Sequence, residues 1–541
     1  MNLSLSVYNY FIEWNNFHFG VNTLTGYKAF LTNDQYELLK EFPLNRAISL
    51  KFPTLYNQLK HAGFITANDV EFEFLKHRYL LGIYGNNGTY RLTIMPTLNC
   101  NLRCWYCYEH HSKSKMSPDT MRNIFRYSKY NIFKTDGNST WIFNCLTSSF
   151  VMIENKVLNE LAHDTELQKG LINEGILTNE DNEIYRYKYL YYHSAFQNQS
   201  IYLTIAPTMK CNFACHYCFE EGNKNLSIMD EDVENAIVEY LHINRDKKIA
   251  INWFGGEPLM GFARIVSISH KLKNLNIKFR SSIVTNGSLL DEDKINQLHV
   301  LNLNHLQISL DGLAHTHDKR RYFKTGKPSF DLIISNIENF LRLTDIHLYI
   351  QVTVDKTNSN AYEDIVKFFN EKFPTYMNEK RIEIGFNAVQ NRTDFERKSD
   401  CFNQEEVFLK NKIRLSQTKR KNLSSILPGI VPSCMYRNPT SFAIDPSGDM
   451  FKCLEHLGNS EYKVGNIKEK SVSLSKMAQA TFGLDPFEDE ECLACNVFPI
   501  CGGGCPLDRQ KKKMGKSINY CSIYKTRLAD MLPALYECYE Q

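Results

Sequence analysis

Three cysteines in a C-x3-C-x2-C array, Cys211, Cys215 and Cys218, have the types and spacing best suited to chemistry. Three thiolates on one tight loop can hold three irons of a 4Fe–4S cube and leave the fourth iron without a protein ligand. Most such clusters take four cysteines, so the vacancy suits a substrate or cofactor that chelates the open iron. Zinc is the alternative, with His216 available to complete a tetrahedral set. A second array is spread over Cys434, Cys453, Cys492, Cys495, Cys501, Cys505 and Cys521. Its C-x2-C-x5-C-x3-C centre in a long chain points to Fe–S or zinc ligation rather than disulfides. Cys145, Cys401 and Cys538 stand outside both arrays and read as core residues.

The elements that must position the first array follow from periodicity. Short runs at 201–206, 248–254, 277–284, 304–310, 347–354 and 381–387, several of them rich in Ile, Val, Leu and aromatics, read as strands. Helical faces lie between them, such as Val233, Ala236, Ile237, Tyr240 and Leu241, and Phe330, Ile333, Ile334, Ile337, Phe340 and Leu341. Repeated βα units imply a parallel sheet of about six strands, two units short of a closed barrel. The cysteine loop follows the first strand. The second strand ends in Gly255, Gly256, Glu257 and Pro258, the third in Thr285, Asn286 and Gly287, and the fourth in Ser309, Leu310, Asp311 and Gly312. Four polar or glycine-rich strand ends on one C-terminal rim mark where parallel α/β folds place active sites. Glycines there let backbone approach a ligand closely.

The chain also repeats itself. Residues 90–109, YRLTIMPTLNCNLRCWYCYE, match residues 201–220, IYLTIAPTMKCNFACHYCFE, at 11 of 20 positions, and HAGFIT at 61–66 resembles NEGILT at 173–178. The first copy, with Cys100, Cys104 and Cys107, has no GGEP: Phe143 is followed by Asn144, Cys145, Leu146 and Thr147. Residues 1–138 therefore read as a truncated unit and 139–541 as the working one. Within the former, residues 1–80 form a small module, with strand-like stretches (8–22, 26–31), helical stretches (33–42, 53–61) and Gly63 as a helix C′ residue. Residues 400–433 read as a polar connector. The region from Cys434 onward is loop-rich with little apolar core of its own, and is expected to fold around metal.

At CNFACHYC and GGEP the sequence resembles the radical S-adenosylmethionine (SAM) superfamily. The resemblance implies a partial (βα)6 barrel over residues 200–395, with SAM chelating the open iron of the Cys211, Cys215 and Cys218 cluster. It implies that Gly255, Gly256, Glu257 and Pro258 serve the SAM amino group, that Tyr217 lies near the adenine, and that Asn286 and Ser309 contact SAM. The C-terminal array resembles the SPASM extension of radical SAM peptide maturases. This implies one auxiliary 4Fe–4S cluster on Cys492, Cys495, Cys501 and Cys521 and another on Cys434, Cys453 and Cys505. Residues 435–447 contain no cysteine that could complete the latter, so its open iron is expected to take a substrate thiolate. The N-terminal module resembles the winged-helix peptide-recognition element of maturases that act on ribosomal peptides, which would add a leader peptide as an extra strand.

The expected organisation is therefore an α/β chain: a winged-helix-like module (1–80), a truncated radical SAM start (81–138), a second, shorter recognition-like segment (139–199), the radical SAM core (200–395), a connector (396–433) and a SPASM domain (434–541). The expected activity is reductive SAM cleavage driving a thioether or carbon–carbon crosslink in a ribosomal precursor peptide, with flavodoxin or ferredoxin as reductant. A formylglycine-type sulfatase maturase and an inactive peptide-binding homologue are the alternatives. No catalytic acid or base is legible.

Composition narrows the partners. The 541 residues are 43% hydrophobic and 23% charged, with net charge +3, so no nucleic-acid or anionic membrane partner is expected. Lys511, Lys512 and Lys513 are a short run that reads as a solvated face. The start, MNLSLSVYNYFIEWNN, lacks the basic and apolar regions of a secretory signal. No apolar run reaches membrane-spanning length, and a cytoplasmic location is expected.

Overall fold

The computed structural model describes residues 3–66, 125–218, 227–389, 400–402, 406–407 and 434–540, apart from short gaps at 7–8, 15–16, 23–26, 44–45, 180–181, 197–199 and 517. The first cysteine loop, Cys100 to Cys107, and most of the connector lie outside the described residues.

The chain opens with β1 (Ser4–Leu5) and a three-stranded antiparallel sheet of β2 (Asn9–Trp14), β3 (Phe17–Asn22) and β4 (Lys28–Thr32). Three helices, Asn33–Lys40, Ala47–Lys51 and Pro53–His61, precede β5 (Ile65–Thr66), which returns to pair with β1. Thr32 and Gln35 form a capping box on the first helix, and Gly63 takes φ +83° after the last. The stretch 8–22 is thus a hairpin of two strands.

A second unit has the same plan. The pair β6 (Arg126–Tyr127) and β10 (Leu177–Thr178) brackets a sheet of β7 (Asn131–Asp136), β8 (Ser139–Asn144) and β9 (Phe150–Glu154). The boundary expected at 138/139 falls in the turn between β7 and β8. Across it, hydrogen bonding joins β7 to β8, and β8 to β9. Helix Glu183–Phe196 then leads to the central sheet.

Among the described residues, that sheet has ten strands. Its first six are β11 (Ser200–Ile205), β12 (Lys248–Trp253), β13 (Phe279–Thr285), β14 (Leu303–Leu310), β15 (His347–Val354) and β16 (Ile382–Ala388). They are parallel and adjacent in sequence order. Six parallel strands in sequential order, each joined to the next through a helix, are consistent with a partial barrel. Helix Glu231–Ile243 begins where the Asp230 side chain accepts the Val233 N–H at 2.8 Å, and it buries Val233, Ile237 and Leu241 against the strands. Helix Phe330–Leu343 does the same with Ile333, Ile337 and Phe340.

The region after Cys434 does not stand apart from this sheet. Strand β17 (Ser441–Ile444) pairs parallel to β11, Tyr202 opposite Ser441, and β18 (Asp449–Phe451), β19 (Gly465–Asn466) and β20 (Ser471–Val472) continue antiparallel. Nor does it lack apolar packing. Phe487, Val497, Phe498, Ile500, Leu528, Met531, Leu532 and Leu535 share one core with Ile132, Phe143, Phe150, Tyr187, Tyr191, Tyr192 and Phe196. The core is invisible in the local sequence because half of it comes from the distant stretch between Tyr130 and Phe196. Among the described residues, no helix is long and apolar enough to cross a membrane.

Candidate active site

The cysteine loop leaves β11 at the C-terminal rim, and its neighbours hold it by main-chain hydrogen bonds. The Ala214 N–H donates to the Tyr322 carbonyl at 3.0 Å and the Lys324 N–H to the Asn212 carbonyl at 2.9 Å. The turn after β12 lies directly on the strand leading to Cys211. The Gly256 N–H reaches the Thr208 carbonyl at 3.3 Å and the Glu257 N–H the Lys210 carbonyl at 2.8 Å. A Cβ on Gly255, whose φ is +113°, would sit 2.3 Å from the Thr208 oxygen, and one on Gly256 2.4 Å from the Lys210 oxygen. The close approach these glycines permit is therefore to the chain carrying the cysteines. The rigidity of the loop comes from backbone stacked on backbone, which no side chain could allow.

Glu257 is wholly buried. One carboxylate oxygen accepts from the Leu259 N–H (3.0 Å) and the Thr285 hydroxyl (2.7 Å), and the other from the Asn286 N–H (2.8 Å). Burial raises its pKa, and the hydrogen bonds from Asn286, Thr285 and Leu259 oppose that. The carboxylate thus ties the end of β12 to the end of β13, while buried Pro258 starts the 3-10 turn that follows. Asn286 is occupied as well: its amide donates to Asn212 at 2.8 Å, and its carbonyl oxygen accepts from the backbone N–H and hydroxyl of Ser288. Ser309 is half-buried on β14, opposite Gln351.

Tyr217 stands in a charged cluster that sequence reasoning missed. Its hydroxyl accepts from Arg321 at 2.6 Å, and the Arg320 guanidinium lies 5.0 Å from its ring centroid. Burial is the main cause of its raised pKa. Arg320 bridges two buried acids, Asp311 and Asp355, each at 2.9 Å. His317 is completely buried; its Nδ1 accepts the Asp311 N–H and its Nε2 meets the Ser329 hydroxyl at 3.1 Å. Burial, with Arg321 and Arg320 nearby, pushes its pKa down to about 3, so it is neutral at pH 7. The signal was HTHDKRR, following SLDG within one helical turn, with Asp355 at the end of the next strand.

Cys211, Cys215 and Cys218 are half-buried and none is in a disulfide. Burial pushes the Cys211 thiol up to about 12, with Glu257, Cys215 and Cys218 adding to the rise. Burial also raises Cys215, against the opposing charge of Arg321. Such thiols become thiolates only with a metal to hold them. The buried Nη2 of Arg320 and Nε of Arg321 have no hydrogen-bond partner among the described residues. Unsatisfied guanidinium donors beside a three-cysteine loop suit a carboxylate-bearing ligand of an incomplete cluster.

The C-terminal cysteines form two groups. Cys492, Cys495, Cys501 and Cys521 line one small cavity, together with Phe498 and Lys525. Gly502, Gly503 and Gly504 all have positive φ, and a Cβ on Gly504 would meet the Tyr520 oxygen at 2.0 Å; they fold the Cys501 turn onto the segment before Cys521. Arg437 locks this turn from behind through the Gly502 carbonyl and the Tyr191 hydroxyl. The other group is Cys434, exposed, with Cys453 and Cys505, half-buried. Burial pushes the Cys453 thiol up to about 12, with Glu455, Cys434 and Cys505 contributing. Among the described residues, no three His, Cys, Asp or Glu side chains are arranged to hold a single metal ion. Cys145 is buried in the shared core, and Cys401 is half-buried beside Asp355 and Lys356.

Residues 205–369 match the radical SAM superfamily. The cysteine-type anaerobic sulfatase-maturating enzyme of Clostridium novyi is 27% identical over 358 residues, covering 61% of this chain and 94% of that protein. The radical SAM cyclopropyl synthase TigE of Paramaledivibacter caminithermalis is 26% identical over 443 residues, covering 74% and 87%. The solved structure of native anSMEcpe with bound AdoMet and Kp18Cys peptide has a TM-score of 0.52 at 19% identity, covering 63% of this chain and 100% of that one, a likeness of fold.

Proposed function

From the premise that this chain is a radical SAM enzyme related to the anaerobic sulfatase-maturating enzymes, we propose that it cleaves SAM reductively and modifies a ribosomally made peptide by a thioether or carbon–carbon crosslink. The observation that carries the reading is the cysteine loop braced by Gly255, Gly256 and Glu257 at the rim of a parallel sheet. Cys211, Cys215 and Cys218 would hold a 4Fe–4S cluster, which together with SAM would supply a carbon-centred radical able to take hydrogen from a substrate.

The chain's own residues do the positioning. The glycine turn fixes the loop. The open donors of Arg320 and Arg321 are suited to the SAM carboxylate, and Tyr217 offers an aromatic face next to them. Gly255, Gly256, Glu257, Pro258, Asn286 and Ser309 are proposed as the rest of the SAM site, with Glu257 and Asn286 acting through the backbone they hold. Cys492, Cys495, Cys501 and Cys521 are proposed to hold one auxiliary cluster, and Cys434, Cys453 and Cys505 a second. The second set has no fourth cysteine in residues 435–447, which favours a cysteine-containing peptide as substrate. A flavodoxin or ferredoxin is the proposed reductant, and residues 1–80 the proposed leader-binding module.

The 27% identity to a cysteine-type sulfatase maturase supports a second reading, oxidation of a peptide cysteine to formylglycine. Incubating reduced, cluster-loaded protein with a cysteine-containing precursor peptide and SAM separates the two. A product that loses two hydrogens and keeps its sulfur supports crosslinking. Loss of the sulfur supports formylglycine formation. An unchanged peptide alongside active SAM cleavage contradicts the substrate assignment.

A further inference from the structure

The two N-terminal units are built on the same hydrogen-bond skeleton. In the first, the Asn22 amide donates to Asn9 (2.9 Å) and to the Gly63 carbonyl (2.9 Å), and the Asn9 amide donates to the Phe64 carbonyl (2.8 Å). In the second, the Asn144 amide donates to Asn131 (2.8 Å) and to the Gly175 carbonyl (2.9 Å), and the Asn131 amide donates to the Ile176 carbonyl (2.8 Å). Strands β2, β3 and β4 each lie 122 residues before β7, β8 and β9. Position by position, the sheets are therefore equivalent.

Alternation along a strand gives each sheet two faces. The inner faces pack on the units' own helices, through Phe11, Ala29 and Leu31 in the first and Ile142, Val151 and Ile153 in the second. The outer faces differ. In the second sheet, Ile132, Trp141, Phe143 and Phe150 are covered by the C-terminal helix Tyr524–Glu540, which lays Leu528, Met531, Leu532 and Leu535 across them. The Phe150 ring meets Tyr536 edge-on at 5.3 Å, and Lys134 pairs with Asp530 at 3.3 Å. The equivalent positions of the first sheet are Tyr10, Phe19, Val21 and Lys28, joined on the same face by Ile12, Phe17 and Phe30. Here Tyr10 is 63%, Ile12 51%, Phe17 48% and Phe30 64% exposed, with Phe19 and Val21 half-buried between them.

We propose that the outer face of the first sheet is the docking site for an amphipathic α-helix of a partner polypeptide, one carrying aliphatic side chains at i, i+3, i+4 and i+7 as the C-terminal helix does on the second sheet. The equivalent face within the same chain is covered by such a helix, and so identifies the shape that fits this one. Its size argues against a sheet-to-sheet dimer. Three strands of five or six residues span roughly 14 by 18 Å, about 250 Å², well below the roughly 800 Å² per partner of a stable interface. A helix laid in an apolar groove needs only such a stripe, with its other contacts supplied by the rim.

The probe is a fluorescein-labelled peptide with the sequence of residues 524–540, followed by anisotropy on the cluster-loaded full-length chain. The expected result is saturable binding, weakened at least tenfold by Phe30→Glu and unchanged by Met152→Glu, the equivalent position in the second sheet. Both side chains are exposed, so neither substitution disturbs the core. Three results would each overturn the proposal: no saturable binding, as expected if another part of the chain already covers the face; equal binding to Phe30→Glu; or loss in Met152→Glu instead, meaning that the peptide exchanges with the helix already seated there.

Discussion

The two best-defined cysteine sites are held in different ways. The loop of Cys211, Cys215 and Cys218 is held by main-chain hydrogen bonds to neighbouring strand ends and by glycines that let those ends touch. The cavity of Cys492, Cys495, Cys501 and Cys521 shares a glycine contact of that kind, Gly504 against the Tyr520 carbonyl, but rests in addition on side-chain packing, with Tyr187, Phe487 and Phe498 in mutual ring contact behind it. A backbone brace fixes a loop to within fractions of an ångström but fails if one Cβ intrudes. A packed core tolerates small shifts and fails by losing volume. The first suits a site where the open iron and its ligand must meet in one geometry, and the second a site that holds a closed four-thiolate set.

Gly256→Ala should break the comparison most severely. Its Cβ would sit 2.4 Å from the Lys210 oxygen and 2.5 Å from that of Met209, and backbone cannot step aside. SAM cleavage should fall more than about a hundredfold, the loss expected when a reacting geometry is displaced by about an ångström. The iron bound by the C-terminal cysteines should stay within error of wild type, by iron analysis of a variant that also lacks Cys211, Cys215 and Cys218. Equal loss at both sites would show that the brace is global.

Phe498→Ala should do the reverse. The ring is 1% exposed and packs against Tyr187 at 4.9 Å. Its removal should cost about 3–5 kcal/mol, read as a lower denaturant midpoint of anaerobic protein, and auxiliary iron should be lost while the first cluster still loads.

The buried imidazole of His317 gives a smaller effect. Its pKa is about 3 when folded and 6.5 otherwise, so below pH 6.5 the unfolded chain binds a proton that the folded chain does not. Stability is therefore complete above pH 6.5 and falls with acid through the window down to about 3, by about 2 kcal/mol at pH 5. Denaturant midpoints at pH 7 and 5 should show this slope, and His317→Asn should flatten it. An unchanged slope would remove His317 as its source.

How far these sites were legible depends on how local their causes are. The first six strands of the sheet could be read because each is a short run between helical patterns, several of them apolar, with polar or glycine signals at four of the ends, and the cysteine loop because its spacing is self-contained. Arg320 and Arg321 were missed because a charged run usually reads as a solvated face; only the fold sets Asp311 and Asp355 around Arg320. Gly255 and Gly256 were read as standing beside a ligand; their contact with the chain's own residues 208–210 was not legible, because only the fold brings it about. The core behind the C-terminal cysteines was hidden for the same reason: Tyr187 and Leu532 meet only after the chain has closed on itself.

The central claim is that Cys211, Cys215 and Cys218 form a SAM-cleaving centre on the braced rim, and the most direct measurement is 5′-deoxyadenosine formation by anaerobically reconstituted, dithionite-reduced protein. The account predicts that wild type converts SAM to 5′-deoxyadenosine and methionine, that Cys215→Ala abolishes this, and that replacing Cys100, Cys104 and Cys107 together leaves it largely intact. Undiminished product from Cys215→Ala, or none from wild type with all its iron loaded, would contradict it.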